Sequence, residues 1–195
     1  IECAAKTVPR QASIVLTYAK AMFEWAEDRE VCINPIASLR PVKISRSMAA
    51  KRRDRILDHD EIRGFWENVE QCGIETITAL ALKMVLVTGQ RPGEVAGMSE
   101  VEIMDRVWSI PGERRKTGVP HAIYLNDRAL EMADKARAEV ERLSKRRKMK
   151  PVGYIFEARA GQKITPNALN RAVSRYAKHL KIKNKKGRWT PHDLR

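Results

Sequence analysis

Ile74-Glu75-Thr76-Ile77-Thr78-Ala79-Leu80-Ala81-Leu82-Lys83-Met84-Val85-Leu86-Val87-Thr88-Gly89-Gln90-Arg91-Pro92 is the stretch on which the fold turns. Ile74 to Val87 is apolar almost all round, the pattern of a helix buried in a core rather than laid on a surface. Gly89 supplies its stop. Pro92 is placed as the first residue of the next helix, expected to run to about Met98. The segment is no membrane span: Lys83 interrupts it, and it falls far short of the roughly 20 apolar residues a bilayer requires.

Working outward, Asp58 or Asp60 caps a preceding helix that carries Ile62, Phe65, Trp66 and Val69. Downstream, Val107 to Ile110 and Ala122 to Leu125 read as short strands around a long connection bearing glycine and lysine. Asn126 or Asp127 caps a helix that runs into the basic stretch Arg142 to Lys150. Tyr154-Ile155-Phe156 is expected as a short third strand. Thr165-Pro166 starts a helix with Leu169, Ala172, Val173, Tyr176, Ala177 and Leu180 on one face. Before all of this, the first ~30 residues read as helix with an apolar stripe of Ala12, Val15, Leu16, Ala19, Met22, Phe23 and Ala26, with Pro9 before it and Asn34-Pro35 after it punctuating the ends. There is no internal repeat. The fold class is α+β, mainly α-helical with one small antiparallel sheet.

The 195 residues hold 38 Lys and Arg against 24 Asp and Glu, a net charge of +14. Such an excess points to a polyanion, and nucleic acid leads. No basic amphipathic helix suited to a lipid surface is visible. Cys3, Cys32 and Cys72 are odd in number and lack CxxC spacing, so reduced thiols in a cytosolic protein are expected, with no metal site. The chain opens at Ile1-Glu2-Cys3 without a secretory signal peptide and reads as an excised piece.

Three places carry chemistry. Arg91 precedes a proline, which pushes it out of the helical region to the mouth of the following helix; Glu94 in the first turn is placed to hold its guanidinium. Thr190-Pro191-His192-Asp193-Leu194-Arg195 is a second helix start, with Thr190 as cap and Asp193 as the returning acid of a capping box. It sets His192 and Arg195 on one side, within reach of one anion. Between the strands, Lys116 sits on a flexible connection suited to delivering a proton, with Arg114 and Arg115 as rivals. Two further groups are basic without being motifs. Lys51, Arg52 and Arg53 lie in a run from Lys43 to Arg55 that is either a solvated connector or a strap along a nucleic-acid backbone. Arg171, Arg175, Lys178, Lys185, Lys186 and Arg188 fall in a stretch with no acidic residue up to His192, and the helix there offers Asn167, Asn170, Arg171 and Arg175 as candidate base contacts.

Taken together, Thr88-Gly89-Gln90-Arg91-Pro92-Gly93-Glu94, the hairpin Lys116 followed by Pro120-His121, and Thr190 to Arg195 resemble the tyrosine recombinases, most closely the integrases of phages and integrated elements. Trp189 is similar to the prophage branch. The resemblance covers about Leu57 to Arg195 and implies the catalytic-domain fold of that family. It also implies an organisation: 1–41 as the C-terminal helix of a core-binding helical domain, 42–56 as a basic linker, 57–195 as a catalytic domain incomplete at its C-terminus.

The activity implied is site-specific DNA recombination by metal-free transesterification, with no cofactor. A tyrosine attacks the scissile phosphate and a 5′-hydroxyl leaves. Arg91 and Arg195 would hold the non-bridging oxygens, Lys116 would protonate the leaving oxygen, and His192 would assist proton transfer. The family's tyrosine lies beyond the HxxR motif, whereas Tyr18, Tyr124, Tyr154 and Tyr176 all precede it. The expectation is therefore a chain that binds double-stranded attachment-site DNA without cutting it. It would be monomeric alone, homotetrameric on DNA at full length, and cytoplasmic at the bacterial nucleoid. A non-catalytic architectural DNA-binding protein and a metal-free RNA-processing protein are the alternatives.

Overall fold

The computed structural model describes residues 1–48, 55–158, 161–180, 182 and 187–195. It divides into two compact units, Ile1–Asp54 and Arg55–Arg195.

In the first unit the expected helix is α2 (Pro9–Glu27), and a separate short helix, α1 (Glu2–Thr7), precedes it. Pro9 separates the two. It occupies the first turn of α2, where its missing N–H costs nothing, and it forces Val8 out of the helical region. A short α3 (Pro41–Ile44) and a 3₁₀ turn (Arg46–Met48) complete the unit. Its fully buried apolar residues are Ala5, Ala12, Leu16 and Met48. Of the expected stripe only Ala12 and Leu16 are buried, while Val15 and Met22 are more than half exposed.

In the second unit, α4 (His59–Asn68) is capped by Asp58, not Asp60. The Asp58 carboxylate accepts from the Glu61 amide at 2.9 Å, and Glu61 accepts from the Asp58 amide at 3.1 Å. The helix α5 (Thr76–Thr88) is buried at every position from Ile77 to Val85 and ends on Gly89 at φ 64°. Burial of a Leu or Met such as Leu80, Leu82 or Met84 stabilises by roughly 1.5–3 kcal/mol apiece. Lys83 shares that burial because its ammonium pairs with Glu70 and lies 4.4 Å from the Trp66 ring. Around α5 pack α6 (Pro92–Ala96), α7 (Asp127–Arg147), α8 (Pro166–Tyr176) and a 3₁₀ turn at Pro191–Leu194. Asn126 rather than Asp127 caps α7. The α8 helix stops at Tyr176, and residues 177–180 form a turn that still buries Leu180.

The sheet is antiparallel, in the order β1 (Ile103–Met104), β2 (Val107–Ile110), β3 (His121–Tyr124). Trp108 pairs with Ile123 and Ile110 with His121, and the pleat buries Trp108 and Ile110. The expected third strand at Tyr154-Ile155-Phe156 is corrected to β1, since Tyr154 makes only an isolated bridge to Ser99. Ile155 and Phe156 are both buried, so that segment lacks the alternation of a half-buried strand, and a two-residue β1 is too short to leave a period in the sequence.

The unit opens on a buried ion pair that the sequence did not announce. Arg55 Nη2 donates to Glu61 Oε1 at 2.6 Å and Nη1 to Oε2 at 2.9 Å, with the two side chains 4% and 5% exposed. The Arg55 guanidinium, seconded by the Asp58 amide and opposed by burial, holds the Glu61 carboxyl below its ordinary pKa. A depressed carboxylate stabilises fully above its unfolded pKa, about 4.3, and that contribution disappears as pH falls through the lower folded value. In urea unfolding, Glu61→Gln is expected to cost about 3–5 kcal/mol at pH 7, because it strands a buried guanidinium. The wild-type advantage should shrink as pH drops below about 4.3; a gap that stays constant down to pH 3 would refute the assignment.

Candidate active site

Arg91 caps α6 in extended backbone, as the following proline dictates. Its amide donates to Glu94 Oε2 at 3.0 Å and its Nη1 to Glu94 Oε1 at 2.9 Å. Glu94 is 4% exposed and Arg91 34%, so a buried carboxylate anchors one nitrogen while the rest of the fork reaches solvent. Burial alone would raise the pKa of Glu94. Bonds from the Arg91 amide and guanidinium and from Arg115 outweigh it, and the carboxyl stays below its usual value. With five residues, α6 carries little macrodipole, so the attraction for an anion rests on the guanidinium itself.

The same carboxylate decides the rivalry on the β2–β3 connection. Arg115 Nε approaches Glu94 Oε1 at 3.5 Å, and its Nη1 donates to the Val119 carbonyl at 2.9 Å. Arg114 pairs with Glu102 and donates through Nη2 to the Glu94 carbonyl at 2.7 Å. Both arginines tie the connection to α6. A Cβ on Gly112 would meet the Gly118 carbonyl oxygen at 2.3 Å, so the base of the connection closes only around glycine. Lys116, between these anchors, is exposed and pairs with no described residue.

Thr190 begins the terminal turn as expected, its amide donating to Asp193 Oδ2 at 2.7 Å and its hydroxyl at 3.1 Å. The turn is 3₁₀, with Pro191 and Leu194 buried. Its three-residue period leaves His192 and Arg195 on one side. Both are exposed and bond to no described residue. The turn packs on α5 and α8, as does α6, so the two arginine-bearing segments share their supports. Just ahead of it Trp189 is buried edge-on against Phe65, ring centroids 5.8 Å apart, and its indole N–H has no acceptor among the described residues.

Residues 55–195 match the family model described as the phage integrase family. The chain belongs to that family. Its fold is that of the tyrosine recombinase catalytic domain. A λ integrase fragment (75–356), solved as a dimer on a COC′ core site, is similar at TM-score 0.72 and 20% identity over 95% of this chain and 64% of that one. The Tn1549 transposon integrase (82–397), in complex with circular intermediate DNA, gives 0.60 and 18% over 90% of this chain and 60% of that one. The λ integrase catalytic core gives 0.57 and 21% over 71% and 77%. The chain thus spans less than two thirds of the first two. Among curated proteins nothing matches.

In this integrase-family chain, α8 runs along the site. Pro166 lies 3.6 Å from where a Cβ on Gly93 would stand, and the Tyr176 ring lies 3.2 Å from the same position on Gly73. The helix therefore leads from the start of α6 to the loop before α5, about 15 Å at 1.5 Å per residue. Arg171, Arg175 and Lys178 are exposed, the two arginines lining an open cleft of about 540 Å³ with Gly73, Thr78 and Tyr176. Arg188 donates to the Ser174 hydroxyl on α8. Of the other expected contacts, Lys51, Arg52, Arg53, Lys185 and Lys186 lie outside the described residues.

Sequence reasoning missed that Arg114 and Arg115 are anchors. The only available signal was their adjacency to Lys116, which does not say which cation a distant glutamate will take. Arg114→Ala is expected to lower stability by about 1–3 kcal/mol by stranding Glu102 and the Glu94 carbonyl, whereas Lys116→Ala should leave the unfolding midpoint where it is. Thermal unfolding of the two variants checks this, and equal losses would contradict the division of roles.

Proposed function

We propose that the chain is the DNA-engaging part of a site-specific recombinase that works by metal-free, phosphotyrosine-linked strand transfer. In this reading Arg91 and Arg195 hold the non-bridging oxygens of the scissile phosphate. His192 donates a hydrogen bond to the same group, and Lys116 gives its proton to the departing 5′-oxygen. The tyrosine oxygen forms a bond to phosphorus as the P–O5′ bond breaks, so the ester's energy is kept for rejoining. Removing one such preorganised donor typically costs about 10²–10³ in rate.

One observation carries the reading. Arg114 and Arg115 are committed to carboxylates and carbonyls, while the four residues matched by motif, Arg91, Lys116, His192 and Arg195, keep a face to solvent. None of the four tyrosines follows His192, so the 195 residues are proposed to bind duplex DNA without forming a covalent link. The proposed organisation is the C-terminal end of a core-binding helical domain over 1–41, carrying α1 and α2, a basic linker over 42–56 and a catalytic domain from 57. Partners would be attachment-site duplexes and, for the full-length protein, three further copies of itself; the λ integrase has been solved as a tetramer on a Holliday junction. A prophage-encoded protein acting at the bacterial nucleoid fits this reading. The helix α8 supplies the groove contacts, with Asn167 and Arg171 exposed one turn apart.

The test is duplex binding against salt. Six phosphate contacts predict a loss of about 10³ in affinity between 50 and 200 mM salt. Arg91→Ala and Arg195→Ala should each weaken binding to every sequence and flatten the salt slope by about one. Wild-type affinity in both variants would sink the phosphate clamp, tighter binding to RNA would favour the RNA-processing alternative, and a covalent adduct on a nicked duplex would overturn the placement of the nucleophile.

A further inference from the structure

Arg55 does more than pair with Glu61. Its Nη1 also donates to the Ile56 carbonyl at 2.7 Å, and its Nε donates to the carbonyl of Gly187 at 3.3 Å. One buried guanidinium therefore uses all three nitrogens: two serve the capping glutamate of α4, and the third holds the backbone three residues before Thr190. Next along that backbone Arg188 bonds the Ser174 hydroxyl of α8, and Trp189 packs on Phe65, again a residue of α4. Then come the Thr190–Asp193 cap and the buried Pro191 and Leu194. His192 and Arg195 make no side-chain bond to a described residue, so their aim is set by the backbone that carries them. After the bond to Glu61, and against the cost of burial, the Asp193 carboxylate is among the charges that raise Arg55's pKa.

We infer that Arg55 is a positioning residue for the His192–Arg195 turn, a role that rests on the phosphate-holding function proposed above for Arg195. The planar fork is what the role requires. Its nitrogens serve a carboxylate, a neighbouring carbonyl and the Gly187 carbonyl in fixed directions, whereas a lysine has a single nitrogen on a flexible stem. Arg55→Lys should therefore keep the pair with Glu61 and lose the hold on Gly187. Arg55→Met with Glu61→Leu fills the same space without buried charge and removes the hold as well, which guards against a lysine variant that fails to fold.

The experiment uses the 195-residue chain. Amide hydrogen exchange should accelerate on the order of tenfold at 188–194 in Arg55→Lys, the loss of about one hydrogen bond, with α7 amides unchanged. The His192 ring signals should shift with it. Uniform acceleration across α7 and the turn alike, or no change at 188–194, would overturn the inference. Duplex binding separates this from the function itself. Arg55→Lys should weaken binding, and combining it with Arg195→Ala should cost less than the two single losses together, the remainder passing through His192, while its combination with Lys178→Ala should be additive. Additivity with Arg195→Ala would refute the positioning role even if the clamp stands. An Arg195→Ala variant that binds normally, beside a selectively loosened 188–194, would instead remove the clamp and leave the anchoring intact.

Discussion

Everything in the second unit is arranged around a helix that has no outward face. From Ile77 to Val85 every side chain of α5 is buried, so neighbours must close on it from several directions at once. They are α6, α7, α8 and the turn at Pro191–Leu194. A helix clamped in this way cannot rotate without exposing apolar surface, and a close-packed interior transmits such a shift to its neighbours. The segments bearing Arg91 and Arg195 both rest on it. Even the one charge in the helix, Lys83, is accommodated by Glu70 and Trp66 rather than by a tilt toward water.

Around that support, a few carboxylates sort the cations of a strongly basic chain. Glu61 takes Arg55, Glu94 takes part of Arg91 and of Arg115, and Glu102 takes Arg114. These three acids are buried or nearly so, where a charge persists only if paired and hydrogen-bonded. Each is therefore obliged to bind an arginine, and the arginine becomes structural in return. Among the described residues of the three motifs, Lys116, His192, Arg195 and part of the Arg91 fork stay solvent-facing, as do the cations of α8. Glu94 matters most in this sorting because it fixes Arg91 and the connection carrying Lys116 with one carboxylate.

The orientation of α8 joins the proposed phosphate site to the basic surface. Its first residue abuts α6 next to Arg91, and its last faces the loop before α5. A duplex whose backbone reached Arg91 would find Asn167, Arg171 and Arg175 on the adjoining helix. The membership of the phage integrase family and the similarity to λ and Tn1549 integrases agree with that arrangement of elements.

Much of this was legible in the residues themselves. The buried helix and its Gly89 stop, the proline-led starts at Pro92, Pro166 and Pro191, the cap at Thr190 and the arginine–glutamate spacing at Arg91 are relations within one or two turns, where neighbours in sequence are neighbours in space. The motifs in their order carried the family. Other features were not legible. A two-residue β1 has no period, and the six residues of α1 ahead of Pro9 are too few to show one. Which of three successive cations would stay free depended on Glu94 and Glu102, one or two dozen residues away. The bond from Arg55 to Gly187 joins residues 132 positions apart. Local chemistry determined most of the elements and the residues proposed to hold a phosphate. Tertiary structure alone decided which of those charges are spent inside the protein, because a buried carboxylate selects its partner by direction and distance in the packed chain, and no sequence interval encodes either.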